Sequence, residues 1–232
     1  MARRILFGGT DPARVAEADS VAVLGLGRFG QSLALELMDN GTEVLGVDGR
    51  EDIVQSLNGR LTHVVTADAT KETVLRQLSV PDFDRVVVAI GSDIQASILT
   101  TSLLLRFKIP QIWAKAVGEA HGTILEQLGV GHVIYPEKDM GKRVAHLVRG
   151  SMQDFIEIDE GFAMVKTTPH SAIMGIPLGQ TDLRNKHQVT VTAVKPDGEP
   201  WTYATAETVL RPGDTILVAG PTRKAEVFSQ LR

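Results

Sequence analysis

Hydrophobic positions along this chain follow two different patterns. Short apolar runs recur at residues 21–25, 43–47, 63–66, 85–90, 112–116 and 132–135. Most are apolar throughout rather than alternating, as expected of strands covered on both faces of a parallel sheet. Between them lie stretches of helical period at 28–39, 51–58, 71–78, 92–107 and 119–128. Their ends are marked. Asn40–Gly41 closes the first, Asp68 or Thr70 suits the start of the third, Ser92 or Asp93 that of the fourth, and Pro110 follows the fourth. Strand–helix alternation of this kind predicts a doubly wound α/β domain, a parallel Rossmann sheet.

After Pro136 the pattern changes. Residues 137–149 read as one more helix, and short alternating strands follow at 155–158, 163–167, 189–194, 201–204 and 215–218. Turn signals separate them, notably Lys195-Pro-Asp-Gly198 and Arg211-Pro-Gly-Asp214. A last helix spans 222–231. The expected organisation is a nucleotide-binding lobe at 21–136, a connecting helix at 137–150 and a small α+β lobe at 151–232. Residues 1–20 read as a flexible leader. Their apolar run, Ile5–Leu6–Phe7, is too short for a secretory segment, and Asp11, Glu17 and Asp19 argue against a transit peptide.

Composition narrows the classes. The 232 residues are 43% hydrophobic and 22% charged, ordinary values for a folded chain. The formal net charge is −4, and Lys and Arg are scattered, so nothing draws the chain to nucleic acid or an anionic membrane. Cys is absent, which excludes disulfides, thiolate zinc sites and thiol catalysis. No run approaches the ~18 apolar residues of a membrane span. The expectation is a cytoplasmic chain.

The first strand–helix junction carries Gly25-Leu26-Gly27-Arg28-Phe29-Gly30, a G-x-G-x-x-G between strand and helix. The first glycine allows a tight turn, the second lets backbone approach a pyrophosphate, and the third lets helix and strand pack closely. Asp48, followed by Gly49 and Arg50, ends the second strand, where a carboxylate accepts from ribose hydroxyls and disfavours a 2′-phosphate. Glycines, strand context and acid together point to a bound adenosine nucleotide. Further candidates sit at other strand ends: Asp68–Ala69, Ile90–Gly91–Ser92, and Lys115 with Ala116. Each also has a plain structural use. Asp48 can be a solvated turn acid, Asp68 a helix cap, Gly91 a turn and Lys115 a solvated strand end.

A nucleotide fold does not name a reaction. An NAD-dependent oxidoreductase with a small substrate domain is one reading. It needs a proton donor, and the C-terminal lobe offers only the isolated His170 and His187, with Trp201 and Tyr203 as aromatic contributors. No G-x-S-x-G, H-E-x-x-H or Walker A sequence is present.

The other reading comes from a resemblance. Gly-Leu-Gly-Arg-Phe-Gly (25–30), Glu-Val-Leu-Gly-Val-Asp (43–48), Ala-Asp-Ala-Thr (67–70) and Val-Ala-Ile-Gly (88–91) are its first pieces. Ile-Gln-Ala-Ser-Ile-Leu-Thr (94–100), Ile-Trp-Ala-Lys-Ala (112–116) and Tyr-Pro-Glu-Lys-Asp-Met-Gly (135–141) continue it. These resemble the N-terminal lobe of RCK domains, the regulators of potassium conductance, of the KtrA/TrkA type. Leu-Arg-Pro-Gly-Asp-Thr-Ile-Leu-Val-Ala-Gly (210–220) is similar to their small C-lobe. The resemblance implies a non-enzymatic regulator that binds ATP or ADP, and also NAD(H), at the glycine turn. It implies homo-oligomers, dimers building an octameric ring on the inner face of the membrane, which regulate a separate membrane-embedded K+ subunit. By position, Arg28 corresponds to an arginine that senses the γ-phosphate. Glu137 corresponds to an interfacial glutamate that would hold Mg2+, Ca2+ or Na+ between two subunits. A solvated first-turn arginine and an ordinary N-terminal helix acid remain the alternatives. His121 falls where family members carry a histidine near the nucleotide. In some relatives the C-lobe binds cyclic di-AMP, and Leu178, Arg184 and Thr190 lie in the corresponding region.

Overall fold

The computed structural model describes residues 20–231. The leader expected at 1–20 lies outside them except for Ser20, which is the first residue of β1. The chain forms two compact units, dividing between Glu137 and Lys138.

The first unit alternates strand and helix. It runs β1 (Ser20–Leu24), α1 (Arg28–Asp39), β2 (Glu43–Asp48), α2 (Glu51–Leu57), β3 (His63–Thr66) and α3 (Glu72–Gln77). It continues with β4 (Arg85–Val88), α4 (Ile94–Arg106), β5 (Gln111–Lys115), α5 (Glu119–Leu128) and β6 (His132–Ile134). The six strands form one sheet in the order β3-β2-β1-β4-β5-β6, and each recorded pairing is parallel. Successive residues of a strand face opposite ways, so the apolar runs supply two cores. Ala22, Leu24, Leu45, Val47, Val86 and Val88 join Leu75, Leu104 and Leu125 of α3, α4 and α5 on one face. Val21, Val23, Val44 and Val87 join Ala34 of α1 and Leu57 of α2 on the other. This double burial is why the strands read as continuous apolar runs. Strand order reverses between β1 and β4, so a crevice opens at their carboxyl ends.

Helix ends follow the sequence signals in part. Asn40 terminates α1, and Gly41 takes a left-handed φ of 83°. The Asp93 side chain caps α4 by accepting from Ala96 N–H at 2.9 Å. Helix α3 begins after Lys71 without a side-chain cap. Asp68 instead accepts from the Thr70 N–H and hydroxyl at 2.9 and 2.7 Å, an Asx turn rather than a helix cap.

Helix α6 (Pro136–Arg149) begins in the first unit's last residues. The second unit holds β7 (Asp154–Asp159), β8 (Phe162–Thr167), α7 (Leu183–His187), β9 (Thr190–Lys195), β10 (Thr202–Tyr203), β11 (Thr215–Pro221) and α8 (Thr222–Ser229). Its five strands form an antiparallel sheet in the order β10-β9-β11-β8-β7. Alternate residues of β8 and β11, including Ala163, Val165, Ile216 and Val218, are buried with Ala225 and Phe228 of α8. Among the described residues no helix is long and apolar enough to cross a membrane.

Candidate functional site

The glycine turn is shaped by three separate demands. Gly25 has φ of 97°, and a Cβ there would stand 2.9 Å from the Ile90 backbone nitrogen. A Cβ on Gly30 would stand 2.0 Å from the Gly25 carbonyl oxygen. Gly27 is different, because a Cβ there meets nothing within 4 Å. Among the described residues no atom requires a glycine at position 27; the open space beside it suits close approach by a bound group. Helix α1 starts there with no side-chain cap and no acid in its first turn. Its first N–H groups and positive dipole end therefore remain for an anion.

Asp48 braces this turn. Its Oδ2 accepts from Leu26 N–H at 2.7 Å, and its Oδ1 accepts from Arg50 N–H at 2.9 Å and from Arg50 Nε at 3.4 Å. Neighbouring backbone bonds fix both sides, from Gly25 N–H to Val47 O and from Ala89 N–H to Leu24 O, each 2.7 Å. Gln31 adds a side-chain bond to Leu26 O at 2.9 Å.

A cavity of about 750 Å³ opens at this crevice, in the range of small-ligand sites. Of the residues singled out from the sequence, Gly25, Gly27, Arg28, Phe29, Asp48, Arg50, Ile90, Gly91, Ser92, Lys115 and Glu137 line it. Gln31, Ile53, Ala89 and Val117 line it as well. Gln31 could have been found as the polar residue after the last glycine, but Ile53, Ala89 and Val117 read as ordinary apolar positions. Three cations, Arg28, Arg50 and Lys115, face two carboxylates there, leaving the lining net positive.

Lys115 rises from the end of β5, its side chain only 10% exposed, and donates to Glu137 Oε1 at 2.5 Å. That bond is the main reason the Glu137 carboxyl is held below the usual carboxylate range; the charges of Lys115 and Arg28 add to it.

The remaining candidates lie outside this cavity. Gly30 supports the turn from beneath, and Gly49 is exposed beyond Asp48. Ala69 is buried in the core and its carbonyl accepts from the Thr100 hydroxyl at 3.2 Å. Ala116 N–H donates to Ile134 O at 2.8 Å. The imidazole of His121 is buried, with Nδ1 accepting from Val117 N–H at 3.3 Å. It touches the site through the backbone of a lining residue. Among the described residues no group of three His, Asp or Glu gathers to hold a metal, around Glu137 or elsewhere.

In the second unit, Leu178, Arg184 and Thr190 line one cavity of about 620 Å³, and Arg184 Nε donates to Thr190 Oγ1 at 3.1 Å. The two histidines weighed as proton donors have structural roles there. His170 Nδ1 accepts from Ala172 N–H at 3.2 Å, and His187 packs edge-on against Phe228.

A doubly wound parallel sheet with a glycine turn at its switch point, followed by a small antiparallel unit, defines a two-unit protein built on a Rossmann fold. The TrkA-N domain model matches residues 21–136, and the chain belongs to that family. It is 38% identical over 200 residues to the Ktr system potassium uptake protein C of Bacillus subtilis, covering 86% of this chain and 90% of that one. It is 36% identical over 204 residues to the Ktr system potassium uptake protein A of Vibrio alginolyticus, covering 88% and 93%. Among solved structures, the GsuK RCK domain matches with a TM-score of 0.63 at 18% identity over 91% of this chain. The GsuK channel bound to NAD matches with a TM-score of 0.62 at 17% identity over 91% of this chain. Those two likenesses concern the fold. The chain spans about half the length of the RCK chain, 47%, and 39% of the channel chain.

Proposed function

We propose that this chain is a nucleotide-sensing regulatory subunit of a potassium-uptake system, in which ATP against ADP sets the conformation of a cytoplasmic ring. The observation that carries the nucleotide reading is Gly27: it opens onto a net positive cavity at a helix N-terminus, and nothing among the described residues requires a glycine there. The role in potassium uptake rests on relatives that are named as Ktr potassium uptake proteins and are matched over most of their length.

In this reading the pyrophosphate lies on the N–H groups that open α1, and Asp48 receives the ribose with the lone pairs its brace leaves free. Arg28 reads the γ-phosphate through charge-assisted bonds that ADP does not offer. NAD(H) fits the same turn and the same acid. Glu137 of two copies holds a divalent cation or Na+ between them, oxygen ligands suiting these hard ions. The ring is an octamer of four dimers, seated against a membrane-embedded K+ subunit. The cavity at Leu178, Arg184 and Thr190 accepts cyclic di-AMP. Moving a two-state ring from mostly closed to mostly open takes about 5.5 kcal/mol. Shared among equivalent sites, that asks each γ-phosphate for a fraction of one charge-assisted hydrogen bond.

Calorimetric titration of ATP, ADP and NAD+, with and without Mg2+, tests this together with the mass of the purified protein. Saturable adenine-nucleotide binding and an octameric mass are expected. A protein that binds none of the three, or one that turns over an alcohol or hydroxy acid with NAD+, overturns the proposal.

A further inference from the structure

Lys115 and Glu137 form an unequal pair. The ammonium is built into the fold: its side chain is nine-tenths buried, while that of Glu137 is 66% exposed. Nζ lies 5.7 Å from the centre of the Phe29 ring. A Cβ on Gly91 would come within 3.2 Å of it, so the glycine after β4 gives the ammonium its room. The lysine is thus fixed in the cavity wall, and its carboxylate partner is the replaceable member. A phosphate tail offers the same ammonium a competing anion, whose charge grows with each phosphate.

We propose that Lys115 exchanges partners: Glu137 holds it when the cavity is free of nucleotide, and the outermost phosphate of a bound nucleotide takes it over. Glu137 is then an internal competitor of that phosphate. A nucleotide must displace it to reach Lys115, and the longer tail does so more effectively. Lys115 and Glu137 together therefore determine selection by phosphate number, beyond any contact made by Arg28. This rests on the nucleotide reading above.

The test uses the full chain in EDTA, so that no cation bridges carboxylate and phosphate. Adenosine, AMP, ADP and ATP are titrated into the wild type, Glu137→Gln, Lys115→Met and the double variant. Removing the competing carboxylate is expected to tighten ATP by about two- to fivefold, the scale of a part-exposed ion pair. ADP should gain less and adenosine nothing. Lys115→Met should weaken binding in the same order, and Glu137→Gln should then change nothing in the Lys115→Met background.

A gain that persists in the Lys115→Met background means simple repulsion between carboxylate and phosphate, and overturns the exchange. Equal changes for adenosine and ATP mean that the pair only supports the fold, and overturn it too. Lys115→Gln replaces Lys115→Met if the latter does not fold. A wild type that binds none of the four ligands removes the nucleotide reading and the exchange together. One that binds them, without coupling between Lys115 and Glu137, overturns the exchange alone.

Discussion

The two sheets bury their strands in different ways. β1 buries all five of its residues, whereas β8 buries every second one. A parallel sheet covered on both faces leaves only strand ends open to a ligand, so the first unit's cavity lies at the carboxyl edge beside β1 and β4. The antiparallel sheet of the second unit has one covered face. Its cavity at Leu178, Arg184 and Thr190 is lined instead by loop residues, α7 and β9. The proposed nucleotide site of the first unit is therefore tied to backbone packing, and the packing can be tested apart from the binding.

The largest expected effect separates two glycines of one motif. Gly30→Ala forces a Cβ to 2.0 Å from a backbone carbonyl that cannot swing aside. It should lower stability by about 3 kcal/mol or more. Gly27→Ala meets nothing within 4 Å, so its stability should stay within about 0.5 kcal/mol of wild type. Its nucleotide affinity should nevertheless fall at least tenfold. Each sheet carries its own tryptophan region, Trp113 in β5 and Trp201 beside β10. Urea unfolding in a Trp201→Phe background therefore reports the first unit. Equal stability losses for the two glycine variants would break the distinction between packing and binding.

Much of this contrast was legible in the chain. Continuous apolar runs marked the doubly covered strands, alternating ones the single-faced sheet, and Asp48 stood out because it ends a strand opposite the glycine turn. What pattern could not reach are contacts set by distant folding. Asp48 spends part of its carboxylate on Leu26 N–H, 22 positions away in sequence. Val117 reaches the cavity because β5 and β4 pair, and nothing local marks it. Asp68 and Ala69 follow a strand end, but the cavity does not reach them. Helix α7 has five residues between Asp182 and Gln188, both left-handed at φ of 59° and 58°. It is too short to show a helical period, and neither flanking residue is a glycine that would announce the turn.

An effect of intermediate size concerns His121. Burial holds its imidazole below the ordinary histidine pKa. The folded chain therefore keeps it neutral at pH values where the unfolded chain, with a pKa of about 6.5, has begun to bind a proton. The stability from this group is fully present above pH ~6.5 and is lost as pH falls toward the folded-state pKa, at no more than about 1.4 kcal/mol per pH unit. His121→Gln should flatten that slope in the first unit, read from Trp113 between pH 7 and 5. A slope unchanged by the substitution would assign the pH dependence to other groups.

The smallest expected effect lies in the second unit, where acid sensitivity has a different origin and window. Arg143 Nε and Nη2 donate to Asp154 Oδ1 at 3.0 and 2.6 Å, and Phe155 N–H donates to the same oxygen at 2.8 Å. The arginine's hydrogen bonds are the main reason the Asp154 carboxyl is held below its usual range. Its stabilisation is thus present above the unfolded-state pKa, about 3.9, and is lost as pH falls through the lower folded-state value. Both side chains are substantially exposed, 41% and 33%, so solvent and salt screen the pair. Asp154→Asn should cost less than about 1 kcal/mol at pH 7, less still in high salt, and nothing once the carboxyl is protonated. A Trp113→Phe background, with Trp201 as reporter, isolates this unit. The two windows open at different pH: on acidification His121 should weaken the first unit from pH ~6.5 downward, while Asp154 begins to contribute to acid sensitivity only as pH approaches its unfolded-state pKa of about 3.9. If the Asp154→Asn penalty instead vanished between pH 7 and 5, the partner being titrated would be a histidine, and the assignment of this contact to an arginine–carboxylate pair would fail.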